Sequence, residues 1–140
     1  MDLTTALDFV RPRHRGVLVT LKADGRPQLS NVMYALADDG VVRVSVTETR
    51  AKTANARRDP RVSLYVTADD FWSYAVVEGE AELTPAARDP QDPTVQELVS
   101  LYREISGEHP SWDQYRSAMV ADRRLVLRLR PTYAYGMLQG

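Results

Sequence analysis

The sequence predicts a mainly β domain, a small antiparallel barrel with helices packed on its outside. Three observations point there. Runs rich in β-branched residues fill the first half of the chain and return at its end. The turn residues Ala23-Asp24-Gly25 and Ala37-Asp38-Asp39-Gly40 link the first three runs as a meander. The long run Trp72 to Thr84 changes one face from aromatic (Trp72, Tyr74) to acidic (Glu78, Glu80, Glu82), as a barrel strand does on passing between two environments.

In chain order, Thr4 to Val10 spaces Leu7 and Val10 for a short helix that Pro12 stops. Val17 to Leu21 and Gln28 to Leu36 form the first hairpin, and Val41 to Thr47 is the third strand. A helix beginning near Thr49 or Arg50 follows. It ends at Asp59-Pro60, because the residue before a proline is pushed out of the helical region. Arg61 to Thr67 alternates as a fourth strand, and Trp72 to Thr84 is the fifth, with Gly79 placed for a bulge or bend. From Thr94 a helical stripe of Val95, Leu98, Val99, Tyr102 and Ile105 runs to Gly107 and Pro110. Ser111 caps a further helix through Val120, and Leu125 to Gly136 closes the chain as a strand with Pro131 at an edge or bulge position. The total is about six strands and three or four helices in a single domain, residues 1–140, with Pro85 to Pro93 a loop rather than a linker.

Composition narrows the function. The 140 residues are 44% hydrophobic and 26% charged, a globular balance, and the formal net charge of -1 supplies no field for nucleic acid. No cysteine is present, which removes disulfides, thiolate nucleophiles and cysteine-ligated metals and fits a cytoplasmic protein. His14 and His109 stand apart without a ligand-spaced partner, so no metal site is expected. No apolar run reaches the roughly 20 residues that span a bilayer. Neither a P-loop nor a G-x-G-x-x-G follows a strand, so any phosphate must be held by side chains.

The segment Thr49 to Arg61 is where such side chains gather. Lys52 is one of two lysines among 18 basic residues, and a lysine supplies a compact charge suited to phosphate. Arg50 lies at the mouth of the expected helix, and Lys52 and Asn55 are spaced to share one of its faces. Two uses stay open for them, an anion site and a solvated surface run, and the second is the commoner. On the strands, Gln28, Asn31 and Ser45 either bond their neighbours or present polar groups to a heterocyclic ligand. Trp72 and Tyr74 serve either core and dimer contacts or stacking on a ligand, and the first is the more frequent use. No nucleophile elbow and no carboxylate pair stands out.

The run Thr49-Arg50-Ala51-Lys52-Thr53-Ala54-Asn55, followed by Arg58-Asp59-Pro60-Arg61-Val62-Ser63-Leu64, resembles the pyridoxamine 5′-phosphate oxidase-like split β-barrel superfamily. Gly25 to Val32, Ala51-Lys52-Thr53, Asp70 to Val76 and Ala118 to Arg124 are similar to the actinobacterial deazaflavin-dependent reductases within it. The resemblance covers nearly the whole chain. It implies a six-stranded antiparallel split β-barrel of the FMN-binding type, assembled as a homodimer with cofactor sites between subunits. It further implies that Arg50, Lys52 and Asn55 bind the cofactor phosphate and anionic tail. Gln28, Asn31, Ser45 and Val46 would border the ring, partly through backbone groups, and Trp72 would line the site, from the other subunit. The implied activity is hydride transfer between reduced factor 420, an 8-hydroxy-5-deazaflavin coenzyme, and a small electron-poor acceptor. The alternatives are a non-catalytic carrier of deazaflavin or FMN and an FMN-dependent pyridoxamine 5′-phosphate oxidase. The last is disfavoured because Arg130 to Gly136 lacks the arginine and histidine pattern such oxidases use for substrate. No proton donor is assigned.

Overall fold

The computed structural model describes residues 1–139. Its elements are α1 (Leu3–Val10), β1 (Arg15–Leu21), β2 (Pro27–Met33), β3 (Ala35–Leu36), β4 (Val42–Thr47), α2 (Ala51–Arg58), β5 (Arg61–Thr67), β6 (Tyr74–Leu83), α3 (Pro93–Ser106), α4 (Trp112–Ala121) and β7 (Arg124–Met137). The strands form one antiparallel sheet in the order β2-β1-β5-β6-β7-β4-β3.

That order contains its own proof of curvature. β2 and β3 lie at opposite edges of the sheet, yet Tyr34 alone separates them in sequence. A flat sheet cannot join its two edges through one residue, so the sheet must curl until they meet. Inward side chains such as Leu18, Val44, Leu64, Val77 and Leu127 fill the resulting half-barrel, with Ala6 and Val10 of α1 joining them.

The expected six strands are therefore seven. The run Gln28 to Leu36 is broken at Tyr34, whose N–H still donates at 2.9 Å to the carbonyl of His14, the next residue in the β1 register, while Ala35 and Leu36 pair instead with β4. Its fully buried hydroxyl donates to the Val10 carbonyl at 2.7 Å, fastening the corner to the end of α1. The same carbonyl also accepts the Arg13 N–H. Tyr34→Phe is accordingly expected to cost about 1 kcal/mol, since the acceptor keeps one partner; a lowered urea midpoint at unchanged slope is the readout.

The bend expected at Gly79 is present as a bulge. Pairing steps from Glu78 opposite Tyr133 to Gly79 opposite Pro131, which leaves Thr132 as the extra residue. A Cβ on Gly79 would stand 2.0 Å from the Arg130 carbonyl oxygen, so only glycine fits.

The helices between β6 and β7 lie against the outside of the barrel. α3 is capped by Asp92, which accepts the Val95 N–H, begins at Pro93 and ends at Gly107 in a positive-φ conformation. Ser111 caps α4 by accepting the Gln114 N–H. Glu97 ties α3 to the sheet through Arg43 on β4 at 2.9 Å and Arg128 on β7 at 2.8 Å. The Arg128 hydrogen bond, more than the other contacts, holds the half-buried Glu97 carboxyl below its ordinary value of 4.5.

A lowered carboxylate value means stabilisation that is present above the unfolded value and lost as pH falls through the folded one. Glu97→Gln is expected to cost about 1 to 2 kcal/mol at neutral pH, less than a fully buried pair because the network is partly wet. Denaturation of both proteins across the acid range should show that difference shrinking below the unfolded value.

Candidate functional site

The corner where β4 turns into α2 is locked by backbone. The Thr47 carbonyl accepts the Arg50 N–H at 3.1 Å and the Thr53 hydroxyl at 2.7 Å, and the Glu48 N–H donates to the Arg123 carbonyl at 3.1 Å. Thr47 also stands opposite Arg124, the first residue of β7. The start of α2 and the start of β7 are thus brought side by side.

Arg50 is the N-cap of α2, extended and without a side-chain capping bond, so it leaves the positive end of the helix uncovered. The opposite end carries Arg57 and Arg58, which complement the negative pole. Beside this corner opens a cleft of about 400 Å³. Asn31, Ser45, Lys52 and Arg124 supply its polar lining, and Leu101, Tyr102, Tyr115 and Met119 of α3 and α4 its apolar wall. The wall is stiffened by aromatic packing, with the Tyr102 ring 5.0 Å from Tyr115 and 5.7 Å from Trp112.

The electrostatics of the cleft are one-sided. No carboxylate lines it, and among the described residues none of Arg50, Lys52 and Arg124 forms an ion pair. Burial, then repulsion from Arg50, then repulsion from Arg124 push the Lys52 ammonium below its ordinary value of 10.5. The Nε of Arg124 is buried with no hydrogen-bond partner. A set of mutually repelling cations, with Lys52 partly buried and one N–H of Arg124 withdrawn from water, is destabilising by itself and is relieved by an anion.

The open seam of the barrel runs through the same place. β3 pairs only with Val42 and Arg43, so β4 from Val44 onward has β7 on one side and no strand on the other. The backbone of Ser45 is available along that edge, whereas Val46, opposite Leu125, turns its N–H and carbonyl toward β7. Across the seam, Asn31, Val32 and Met33 of edge strand β2 border both this cleft and a second one of about 430 Å³ containing Arg15, Gly16 and Tyr65.

The sequence-predicted site residues separate into groups. Lys52, Asn31 and Ser45 meet in the cleft, with exposed Arg50 beside them at the helix cap. Val46 keeps its side chain in the core and turns its backbone toward Leu125 of β7, so the structure does not bring it to the cleft. Asn55 does not join Lys52: it is 7% exposed, donates to the Thr20 hydroxyl at 3.2 Å and accepts from Arg58 at 2.9 Å, clamping α2 onto β1. Gln28 stands opposite Thr20 and lies outside the cleft lining.

Trp72 is 68% exposed at the β5–β6 turn, edge-on to Phe71 with ring centroids 5.4 Å apart. Phe71 has a φ of 77°, a strained conformation that holds both rings outward. Leu29 and Met33 on edge strand β2, and Tyr133, Tyr135 and Met137 on β7, are exposed as well.

Sequence reasoning missed Arg124 and the wall on α3 and α4. The wall residues read as an ordinary apolar stripe, and Arg124 enters only as the end of the Ala118 to Arg124 run, with no site role. Its partner at the corner, Thr47, is far away in sequence, and only the β4–β7 register joins them. No cluster of three or more metal-ligating side chains occurs among the described residues, and no helix is long and apolar enough to cross a membrane.

Comparison with known proteins places this architecture. A solved structure named F420 reductase is 29% identical, covers 94% of each chain and superposes with a TM-score of 0.69. The conserved hypothetical protein Rv2991 from Mycobacterium tuberculosis is 23% identical over 100% of this chain and 92% of its own, with a TM-score of 0.75. General Stress Protein 26 from Bacillus anthracis is 18% identical over 98% and 95%, with a TM-score of 0.60; these last two show shared fold alone. The sequence profile of the family described as Pyridoxamine 5′-phosphate oxidase matches residues 4–138, and with that span, the curled sheet and its seam, the chain belongs to the pyridoxamine 5′-phosphate oxidase family.

Proposed function

We propose that the protein is a deazaflavin (factor 420)-dependent oxidoreductase that transfers a hydride between the reduced cofactor and a small electron-poor organic acceptor. The observation that carries this reading is the carboxylate-free cleft where Lys52 lies beside the uncapped start of α2 and faces the seam of the barrel. Likeness to the F420 reductase over nearly the full length of both chains supports the choice of ring.

In this reading Arg50 and Lys52 hold the phosphate, and Asn31, Ser45 and the free backbone edge of β4 at Ser45 border the ring. When bound, the deazaflavin supplies the two-electron chemistry. The chain fixes the ring at the seam, and Tyr102 and Met119 exclude water from one side of it. The exposed side chains of Tyr133, Tyr135, Leu29 and Met137 are assigned to a homodimer interface, which would bring Trp72 toward the partner's cleft.

Titration with factor 420 and with FMN, followed by visible absorption, tests the cofactor. Tight binding of factor 420 is expected, and tight binding of FMN alone overturns the assignment. Adding candidate acceptors to the reduced complex separates enzyme from carrier, because a carrier binds without any return of the oxidised spectrum. Light scattering reads the dimer directly.

A further inference from the structure

We infer that Arg124 is a further anion ligand of the cleft, beside Arg50 and Lys52, and sets its preference for a phosphate-bearing ligand over the same ring without phosphate. The identity of the ring depends on the function proposed above; the anion does not.

The chain shows what it does with arginines that serve structure. Half-buried Arg43 and Arg128 are paired with Glu97, and Arg128 also with Glu82. Arg116 donates to the Pro90 carbonyl at 2.9 Å and to the Gln96 amide oxygen at 2.9 Å, and Arg58 to the Leu21 carbonyl at 2.8 Å. Arg124 differs. Its Nε is the one buried side-chain nitrogen or oxygen among the described residues that lacks a partner, and it lines the cleft.

An N–H withdrawn from water without an acceptor is costly, and the cost is removed when a ligand oxygen reaches it. The geometry suits phosphate in particular. Guanidinium nitrogens form a planar fork that grips two oxygens of one phosphate, while the Lys52 ammonium is a point charge that can meet a third. Both cations line the same cleft, and they are close enough that Arg124 repels the Lys52 charge. The β4–β7 register holds Arg124 opposite Thr47, whose carbonyl also fastens the first turn of α2. The backbone that carries the fork is thus fixed at the corner beside the start of α2.

The test compares two ligand pairs on wild type, Arg124→Gln and Arg124→Lys: FMN with riboflavin, which differ by the phosphate alone, and factor 420 with 8-hydroxy-5-deazariboflavin, which differ by the phosphate and its anionic tail. Wild type is expected to favour the phosphate-bearing member of the pair it binds. Arg124→Gln should reduce that preference about tenfold or more, and Arg124→Lys should fall between, because it keeps the charge and loses the fork. Far-UV circular dichroism and melting temperature establish that both variants fold.

Inorganic phosphate provides an arm free of any ring. It should raise the melting temperature of wild type and have less effect on Arg124→Gln. If wild type binds neither ring pair but keeps that phosphate response, the cofactor assignment fails and the Arg124 site stands. If Arg124→Gln folds and retains the wild-type phosphate preference, the inference is overturned while the cofactor assignment survives. A wild type that responds to neither flavins nor phosphate overturns both. If both variants unfold, Arg124 is a structural residue and the inference likewise fails.

Discussion

Lys52→Ala is expected to weaken cofactor binding by about 1.5 to 3 kcal/mol, the scale of one charge-assisted hydrogen bond, and to leave the fold intact. Stability should be unharmed because Lys52 makes no ion pair and its ammonium is already disfavoured by burial and by Arg50 and Arg124. Removing it relieves that repulsion. Equal affinity in wild type and Lys52→Ala, measured by quenching of cofactor fluorescence, would reduce Lys52 to a surface charge.

The same physics gives a pH dependence. The free protein loses the Lys52 proton at a pH below the ordinary 10.5, whereas a bound anion favours the protonated form. Cofactor affinity should therefore decline as pH rises through the depressed value, and the decline should begin earlier than an unperturbed lysine would allow. Lys52→Ala should flatten that limb of the profile. A wild-type profile that is flat across the alkaline range would contradict the placement of the anion at Lys52.

Gly79→Ala is expected to destabilise the fold by about 3 kcal/mol, at the upper end for overpacking, because the added carbon has nowhere to go. It would lie 2.0 Å from the Arg130 carbonyl oxygen and 2.8 Å from the Leu129 side chain, and both belong to the paired strand β7. Backbone in mid-sheet cannot retreat as the end of a flexible side chain can. Urea denaturation of the two proteins decides the matter. A loss below about 0.5 kcal/mol, the range of an ordinary surface substitution, would mean that the bulge opens easily.

Much of the fold was legible from short-range pattern. The strand runs Val17 to Leu21, Val41 to Thr47 and Arg61 to Thr67 alternate because one face of each meets the core, and the structure places strands over them. The Ser111 cap and the Gly107 stop were readable because capping is a matter of a few adjacent atoms. Gly79 announced its bulge by standing where the strand changes face. The break at Tyr34 was not legible. Nothing local distinguishes Gln28–Leu36 from a continuous strand, and the interruption exists because the sheet closes on itself there.

The candidate site divides in the same manner. Lys52 stood out as a rare lysine in an arginine-rich chain, and Asn31 and Ser45 as polar residues on otherwise apolar strands. Helical spacing put Asn55 with Lys52, but the sheet curves beneath α2 and takes the Asn55 amide for Thr20 of β1, while Arg58 of the same helix donates to its oxygen. Spacing along a helix specifies direction about its axis and says nothing of which side the rest of the protein occupies. By itself, then, the sequence determined the strands, their turns, the helix stops and the lysine on which the site is centred, all set by interactions between residues close along the chain. Only the tertiary structure decided that Arg124, Tyr102 and Met119 share a cleft with Lys52, because the curl of the sheet and the β4–β7 register create contacts between segments that carry no mark of one another in sequence.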